Sequence, residues 1–143
     1  MATELKSEEF TDRLAPIFES VRLRLPERLQ QRNLGYFFPQ WRKLMTMGFA
    51  RTWEIPNAVL GCLFTPDIFG GPPQASVPFW FSLPGTDGTL ALLLAAEAAA
   101  KGAGCPRLSI SAYCTLEGER IAELLKALGY AETERVHQKE LNE

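Results

Sequence analysis

A series of strand, tight turn, helix and strand in the second half of the chain constrains its fold more than any other feature. The aromatic-rich segment 75–83 has the composition of a strand, and the turn 84–89, Pro-Gly-Thr-Asp-Gly-Thr, leads directly into an alanine-rich helix predicted over 90–103. The next segment, 107–113, alternates apolar and polar residues as a strand does. Because a helical crossover joins them, the two strands are predicted to lie parallel in one sheet.

Two helices are predicted in the first part of the chain. Apolar residues recur at helical spacing over 10–25, and Pro16 either kinks this helix or begins a new one. A second helix is predicted to begin at Pro39 and to end at Gly48. A nearby aromatic group is interpreted as core, with a partner-binding patch as the alternative; its members are Tyr36, Phe37, Phe38 and Trp41.

A hairpin and a long loop follow the second helix. Strands are predicted over 49–55 and 58–64, joined by a Pro-Asn turn, and the loop 65–74 contains Gly-Gly-Pro-Pro. A further helix over 115–128 and a final strand over 130–141 complete the order. The predicted fold class is therefore α/β, with a mixed central sheet and helices on both faces.

Composition limits the class of protein. The 143 residues fit a single domain, predicted over 1–143. A formal net charge of −2 with no block of like charge argues against a nucleic-acid partner. No apolar run approaches the ~20 residues of a membrane span, and the N-terminus lacks the pattern of a signal peptide. Three dispersed cysteines and one histidine predict no disulfide framework and no metal site, which suits a cytoplasmic location.

The turn before the alanine-rich helix is the candidate binding site. The first turn of a helix leaves about four backbone N–H groups unpaired and carries a partial positive charge. Glycines such as Gly85 and Gly88 let that backbone approach a phosphate closely, so a diphosphate can be held without a charged side chain. Many α/β proteins have a glycine-rich turn for reasons of geometry alone, so at this point both interpretations stand.

Two short motifs and their order resemble the superfamily of GCN5-related N-acetyltransferases (GNAT). Residues 124–130, Leu-Leu-Lys-Ala-Leu-Gly-Tyr, resemble the family's K-L-G-F helix terminus, and residues 96–104 resemble its A-E…A-x-x-x-G coenzyme helix. The resemblance extends over 75–141, and more loosely over 36–64, where it is to small phage and bacterial members. It implies that 1–74 forms the acceptor side and 75–141 the coenzyme-binding half.

The resemblance implies transfer of an acetyl group from acetyl-CoA, as cosubstrate, to an amine of a small molecule or a protein. The turn would hold the diphosphate, and the preceding strand would pair with the pantetheine arm and polarise the thioester carbonyl through a backbone N–H. Amides of the turn would be the diphosphate donors, namely those of Thr86, Gly88 and Thr89. The residues predicted to bind the coenzyme are Phe81, Ser82, Leu83, Gly85, Thr86, Gly88 and Thr89.

The same resemblance leaves the catalytic groups open. An amine must lose a proton, so a general base is needed, and Glu54 and Asp67 are the candidates, although each also fits an ordinary surface carboxylate. Tyr113 and Cys114, at the end of the parallel strand, are candidates for the acid that protonates the thiolate, with a buried structural role as the alternative.

Several positions depart from the family's pattern. Pro84 stands where the family has arginine or glutamine, and Asp87 adds a negative charge beside the phosphate site. Leu125 stands where the family has tyrosine, and Gly118 where it has asparagine. These departures favour an alternative function, a catalytically inactive GNAT-fold protein that serves as a binding or assembly module, for example in a phage particle. Its partner would be a second copy of the chain or another assembly component.

Overall fold

The computed structural model describes residues 1–22, 33–111 and 116–133, together with the single residues 137, 139 and 141. These residues fall into two compact units, 1–111 and 112–143. The sheet and three helices lie in the first unit, and the last helix lies in the second.

The first unit contains a mixed sheet, as the sequence predicts. Its strands follow one another across the sheet in chain order, and neighbours are antiparallel except for the last pair, which is parallel. The parallel pair and the hairpin are thereby confirmed. In the described part of the chain the strands are β1 Thr3–Glu4, β2 Ala50–Ile55, β3 Ala58–Thr65, β4 Gln74–Ser82 and β5 Leu108–Ile110.

The helices lie close to their predicted positions, with one clear correction. Asn33 caps the second helix by accepting a hydrogen bond from the Tyr36 amide at 3.2 Å, so this helix begins before Pro39, which lies inside it. Two short 3-10 turns precede the first helix, so Pro16 lies near a new helix start rather than at a kink. The helices are α1 Ala15–Arg22, α2 Leu34–Thr46, α3 Leu90–Gly102 and α4 Leu116–Ala127.

The end of the predicted order is described only in part. Residues 130–133 are irregular and residues 137, 139 and 141 are in no strand, whereas the other five residues of the predicted final strand, 130–141, lie outside the described residues. Thr115, the predicted cap of α4, also lies outside them, and α4 ends at Ala127, one residue before the predicted end.

Helices cover both faces of the sheet. On one face α1 packs against β4 and α2 packs against β2, whereas α3 packs against β2 and β3 on the other. The alternation of β2 side chains shows this: Thr52 bonds to α2, while Ile55, three residues later, lies beside the turn that begins α3. The predicted α/β fold class is confirmed.

An aromatic cluster fills the layer between α1, α2 and the sheet. The tightest ring pair joins Trp41 of α2 to Phe79 of β4, with centroids 4.9 Å apart at 69°, a favourable edge-to-face geometry. This finding confirms the interpretation of Phe37, Phe38 and Trp41 as core, whereas Tyr36 is exposed. The cluster consists of Phe10, Phe18, Phe37, Phe38, Trp41, Phe79 and Phe81.

Two residues of the hairpin adapt the sheet to this cluster. Gly61 of β3 lies under the rings, where a Cβ would overlap Phe79 and stand 2.7 Å from Trp41. Thr52 of β2 is fully buried, and its Oγ1 accepts a hydrogen bond from Trp41 Nε1 at 2.8 Å. The hydroxyl satisfies an indole N–H that would otherwise be buried without a partner.

Candidate functional site

The parallel strands β4 and β5 separate after a short contact. They pair only from Ala75 with Leu108 to Val77 with Ile110, where β5 ends. β4 continues to Ser82, so its residues 78–82 have no neighbouring strand on that side within the described chain. The first of them is Pro78, which has no N–H to give to a strand ladder. Within the part of the chain that the structure describes, the sheet therefore has an open edge at this point.

The backbone of β4 presents its polar groups to this open edge at alternate residues. The Leu83 amide donates to the Asn57 carbonyl at 2.9 Å, so the Leu83 backbone faces β3. Because the direction alternates along an antiparallel pair, Phe81 also faces β3, whereas Trp80 and Ser82 face the open edge. The arrangement suits an extended ligand that lies beside β4 and hydrogen-bonds to the Trp80 peptide.

An irregularity in the pairing of β3 with β4 precedes this stretch. Gly61 pairs with Phe79 and Leu63 with Ser76, so β4 contributes one extra residue across the register shift. Such a bulge bends and twists the strand that carries it. The bulge and Pro78 coincide with the point where β4 and β5 stop pairing.

The turn after β4 is tied back to the strand. Both the amide and the hydroxyl of Thr86 donate to the Leu83 carbonyl, at 3.2 and 2.6 Å. Gly85 and Gly88 have φ of 79° and 80°, a left-handed conformation that glycine adopts without strain. The Thr86 amide, a predicted diphosphate donor, is thus already bound inside the turn.

The start of α3 presents free backbone donors. The amides of Ala91 and Leu92 bond to the carbonyls of Gly88 and Thr89, each at 3.1 Å. In contrast, the amides of Gly88, Thr89 and Leu90 have no acceptor in the described part of the chain, and the Thr89 side chain makes no capping bond. Gly88 and Thr89 were predicted donors. Leu90 is an additional donor that the sequence does not predict, because only the hydrogen bonds of the folded chain show which amides of the first helical turn are unpaired.

The electrostatics of this site come from the backbone. Asp87 is exposed and is the one charged residue of the turn 84–89. Attraction for an anion therefore rests on the unpaired amides and on the partial positive charge at the start of α3. Asp87 opposes it.

Glu54, a predicted base, lies at the same end of the sheet as this turn. Both of its carboxylate oxygens accept hydrogen bonds from Arg13, each at 2.9 Å, and this hydrogen bonding is the main cause that raises the Arg13 pKa. The pair lines a cavity of about 390 Å³ that also borders Leu83 and the Pro56–Asn57 turn. Arg13 was missed by sequence reasoning, because 41 positions separate the partners.

The other catalytic candidates are placed differently. Asp67 follows the last residue of β3, whereas Glu54 pairs with Val59 near the first residue of that strand. The length of β3 therefore separates the two carboxylates by roughly 20 Å. The Asp67 Oδ1 accepts from the Phe69 amide at 2.9 Å, so the carboxylate shapes the loop. Tyr113 and Cys114 lie outside the described residues.

The two described cysteines are free and buried. Burial raises the pKa of the Cys62 thiol to about 12, so this thiol stays protonated near neutral pH and is a poor nucleophile. Within the described chain no group of three or more His, Cys, Asp or Glu side chains could hold a metal ion. Nor does any helix in that part have the length and apolar character to cross a membrane.

Comparison with known proteins gives a likeness in structure alone. The sequence matches no protein-family model and no curated protein. The structure is similar to an aminoglycoside acetyltransferase from an uncultured soil metagenomic sample, with a TM-score of 0.74, 13% identity and 99% of this chain and 98% of that chain covered. It is also similar to a ribosomal-protein-alanine N-acetyltransferase from Brucella melitensis, with a TM-score of 0.70, 13% identity and 99% of both chains covered.

A third similar structure is a GCN5-related N-acetyltransferase from Ralstonia eutropha, with a TM-score of 0.67, 15% identity and 99% of both chains covered. Identities this low show the fold alone. The resemblance inferred from the sequence motifs is confirmed at that level. The chain has the fold of the GCN5-related N-acetyltransferases.

Proposed function

We propose that this chain is an N-acetyltransferase that binds acetyl-CoA, its cosubstrate, at the start of α3 and along the open edge of β4. The observation that carries the proposal is the set of three unpaired amides at Gly88, Thr89 and Leu90. These donors follow directly from the strand whose edge is open, so one extended ligand with an anionic end can reach both.

The unpaired amides are the groups that would hold the diphosphate. Thr86 contributes by fixing the turn to Leu83, so the donors are preorganised before a ligand arrives. Gly85 and Gly88 keep side chains away from the backbone at this place. Acetyl-CoA would supply an activated acyl group as a thioester.

The edge of β4 would position the reacting carbonyl. The Trp80 peptide faces the open edge, and its N–H can donate to the carbonyl oxygen as negative charge develops on it. Phe81 and Leu83, also predicted to bind the coenzyme, turn their peptides toward β3 and would contribute through their side chains or through the shape of the strand.

The acceptor is proposed to be an amine. The aminoglycoside and ribosomal-protein-alanine acetyltransferases with this fold are named for small-molecule and protein acceptors. Glu54 remains the candidate base at this end of the sheet, and acting as one would require Arg13 to release an oxygen. The proposal includes a single domain over 1–143, with acceptor side 1–74 and coenzyme half 75–141, and a cytoplasmic location, consistent with the free thiols.

A second candidate function is a binding or assembly module without catalysis. The observation that favours it is Asp87, exposed beside the unpaired amides, together with Pro84 in place of a basic or amide side chain. Such a protein would bind a second copy of the chain or another component, for example of a phage particle.

Acetyl-CoA binding separates the two candidates, and a pair of alanine substitutions locates the site. Gly88 and Gly48 both have left-handed φ, 80° and 83°, so Gly88→Ala and Gly48→Ala carry similar backbone strain. Only Gly88→Ala places a methyl group where the diphosphate must approach. The unmodified protein is expected to bind in the micromolar range and to gain about 4 kcal/mol of stability at millimolar acetyl-CoA.

We expect Gly88→Ala to weaken acetyl-CoA binding at least tenfold by calorimetry and Gly48→Ala to leave it unchanged. Acetyl transfer itself is then followed as release of the coenzyme thiol in the presence of amines. No thermal shift at millimolar acetyl-CoA would refute the enzyme proposal and favour the assembly module. Equal binding by both variants would place the diphosphate elsewhere.

A further inference from the structure

The cavity beside the Pro56–Asn57 turn is lined by parts of the chain that are distant in sequence. They are the N-terminal segment, the start of α1, the end of β2 and Leu83, which follows β4. Its volume of about 390 Å³ lies within the range of small-molecule sites, about 300–1,000 Å³. The buried residues of its wall are apolar, namely Leu14, Ile17 and Ile55, and Leu83 is half-buried. The wall therefore suits a small ligand with an aliphatic group.

Two charged side chains line this cavity, and they neutralise each other. Arg13 donates to both carboxylate oxygens of Glu54, each at 2.9 Å. The two side chains are 48% and 25% exposed, so a ligand in the cavity can reach both. An ion pair this accessible contributes little to stability, so little is lost when a ligand separates it. The wall therefore offers a ligand one positive and one negative group.

Further charged side chains of the N-terminal segment lie outside this wall. Glu9 acts on Arg13 through its charge, while its Oε1 accepts from the Lys6 amide at 2.7 Å. Glu4 is bound to Arg51 at 2.7 Å. The others are exposed, so water and salt screen them; together with Glu9 they are Lys6, Glu8 and Asp12. Their surplus of negative charge favours an ammonium group and opposes a carboxylate, so a carboxylate in the cavity depends on Arg13.

We propose that this cavity binds a small zwitterion with an aliphatic side chain, an α-amino acid such as leucine; the inference goes beyond the proposed acetyl transfer and does not rest on it. The ligand separates the ion pair and replaces each partner. Its carboxylate pairs with the Arg13 guanidinium through two hydrogen bonds, and its ammonium group donates to Glu54. A ligand with one charge alone leaves the other member of the pair without a partner. The branched side chain packs against Leu14 and Ile17.

Calorimetry with close analogues of leucine tests which parts of the ligand are recognised. The whole protein, without acetyl-CoA, is titrated with L-leucine and with 3-methylbutylamine, which lacks the carboxylate. It is also titrated with 4-methylpentanoate, which lacks the amine, and with glycine, which lacks the aliphatic group. We expect leucine to bind at least tenfold more tightly than each of the three. An analogue that binds as tightly as leucine, or absence of leucine binding at millimolar concentration, would overturn the inference.

Substitutions in the ion pair show whether the ligand lies in this cavity. Arg13→Met should weaken leucine at least tenfold and tighten 3-methylbutylamine, because Glu54 is then free to accept from an ammonium group. Glu54→Gln should likewise weaken leucine and should tighten 4-methylpentanoate, because Arg13 is then free. A structural role of the pair alone would not produce this reciprocal change.

The matched control is Arg51→Met. It breaks a second two-bond pair, with Glu4 at 2.8 and 2.7 Å, whose members do not line the cavity. We expect it to leave the affinities for leucine and its analogues unchanged. Circular dichroism shows which variants fold, and either folded variant of the Arg13–Glu54 pair suffices for the test. Leucine binding that is unchanged in a folded Arg13 or Glu54 variant, or equally weakened by Arg51→Met, would contradict the assignment.

Discussion

Replacing Gly61 by alanine should destabilise the protein, although the change adds a single methyl group. The new Cβ would overlap the Phe79 ring and stand 2.7 Å from Trp41, well inside ordinary contact. The Phe79 ring has little room to retreat, because other rings surround it; they are Phe10, Phe18, Phe37, Trp41 and Phe81. Overpacking of this kind costs about 1–3 kcal/mol in a well-packed core.

Gly102 provides a control with the same chemical change and the opposite expected sign. It is the last residue of α3, its φ is not left-handed, and nothing lies within 4 Å of an added Cβ. Alanine in a helix is favoured over glycine by about 0.5–1 kcal/mol. For a domain of this size 1 kcal/mol shifts the Tm by roughly 2–4 °C. Gly61→Ala should therefore lower the Tm by about 2–12 °C, and Gly102→Ala should raise it by about 1–4 °C.

Thermal unfolding followed by circular dichroism measures both variants against the unmodified protein, and urea unfolding checks the sign at 25 °C. A Gly61→Ala variant as stable as the unmodified protein would refute the packing of Phe79 against β3. Because Phe79 lies within the stretch of β4 with the open edge, 78–82, such a result would also remove the basis for the strand's position there.

Three further predictions follow from single contacts. Thr52→Val should lower the free energy of unfolding by about 1–3 kcal/mol, measured in urea, because the Trp41 indole N–H loses its buried acceptor. In a Trp41→Phe background the same substitution should lower it much less if the hydrogen bond is the cause, whereas an equal loss would exclude the bond as the cause. Asp87→Asn should tighten acetyl-CoA binding roughly two- to fivefold at low salt and less at high salt, as calorimetry at two salt concentrations will show; weaker binding would mean that the carboxylate assists. Burial raises the Cys62 pKa from 9.0 to about 12, so the unfolded chain loses this proton at lower pH than the folded chain does. The contribution of the thiol to the free energy of unfolding should therefore be constant below about pH 9 and be lost as pH rises toward 12. A Cys62→Ala variant with the same alkaline decline in stability would show that the decline does not come from Cys62.

Local patterns in the sequence predict most of the first unit. The alternation in β2, the short apolar run of β3, the turn at Asn57 and the alanine-rich run of α3 each depend on neighbouring residues, and their predicted ends lie close to the observed ones. The parallel pairing of β4 and β5 follows from the crossover between them. In contrast, β1 has two residues, too few for a pattern, and exists through its pairing with β2.

The candidate site, too, can be predicted from the sequence only in part. The glycines of the turn and the start of α3 are visible in the sequence, because their conformations are local. The direction of the Trp80 peptide depends on the register of β4 against β3, including the shift opposite Gly61, and no local pattern reports it. The pairing of Arg13 with Glu54 joins distant parts of the chain, so it depends on the tertiary fold and no local pattern predicts it.

The central claim is that the amides at the start of α3 receive the diphosphate of acetyl-CoA. Amide ¹H–¹⁵N spectra recorded during an acetyl-CoA titration test it most directly. We predict that the Gly88, Thr89 and Leu90 amides show the largest downfield proton shifts, with a single dissociation constant, and that the Thr86 amide moves less because it stays bound to Leu83. Saturable binding that leaves those three amides unmoved, or unchanged spectra at millimolar acetyl-CoA, would contradict the claim.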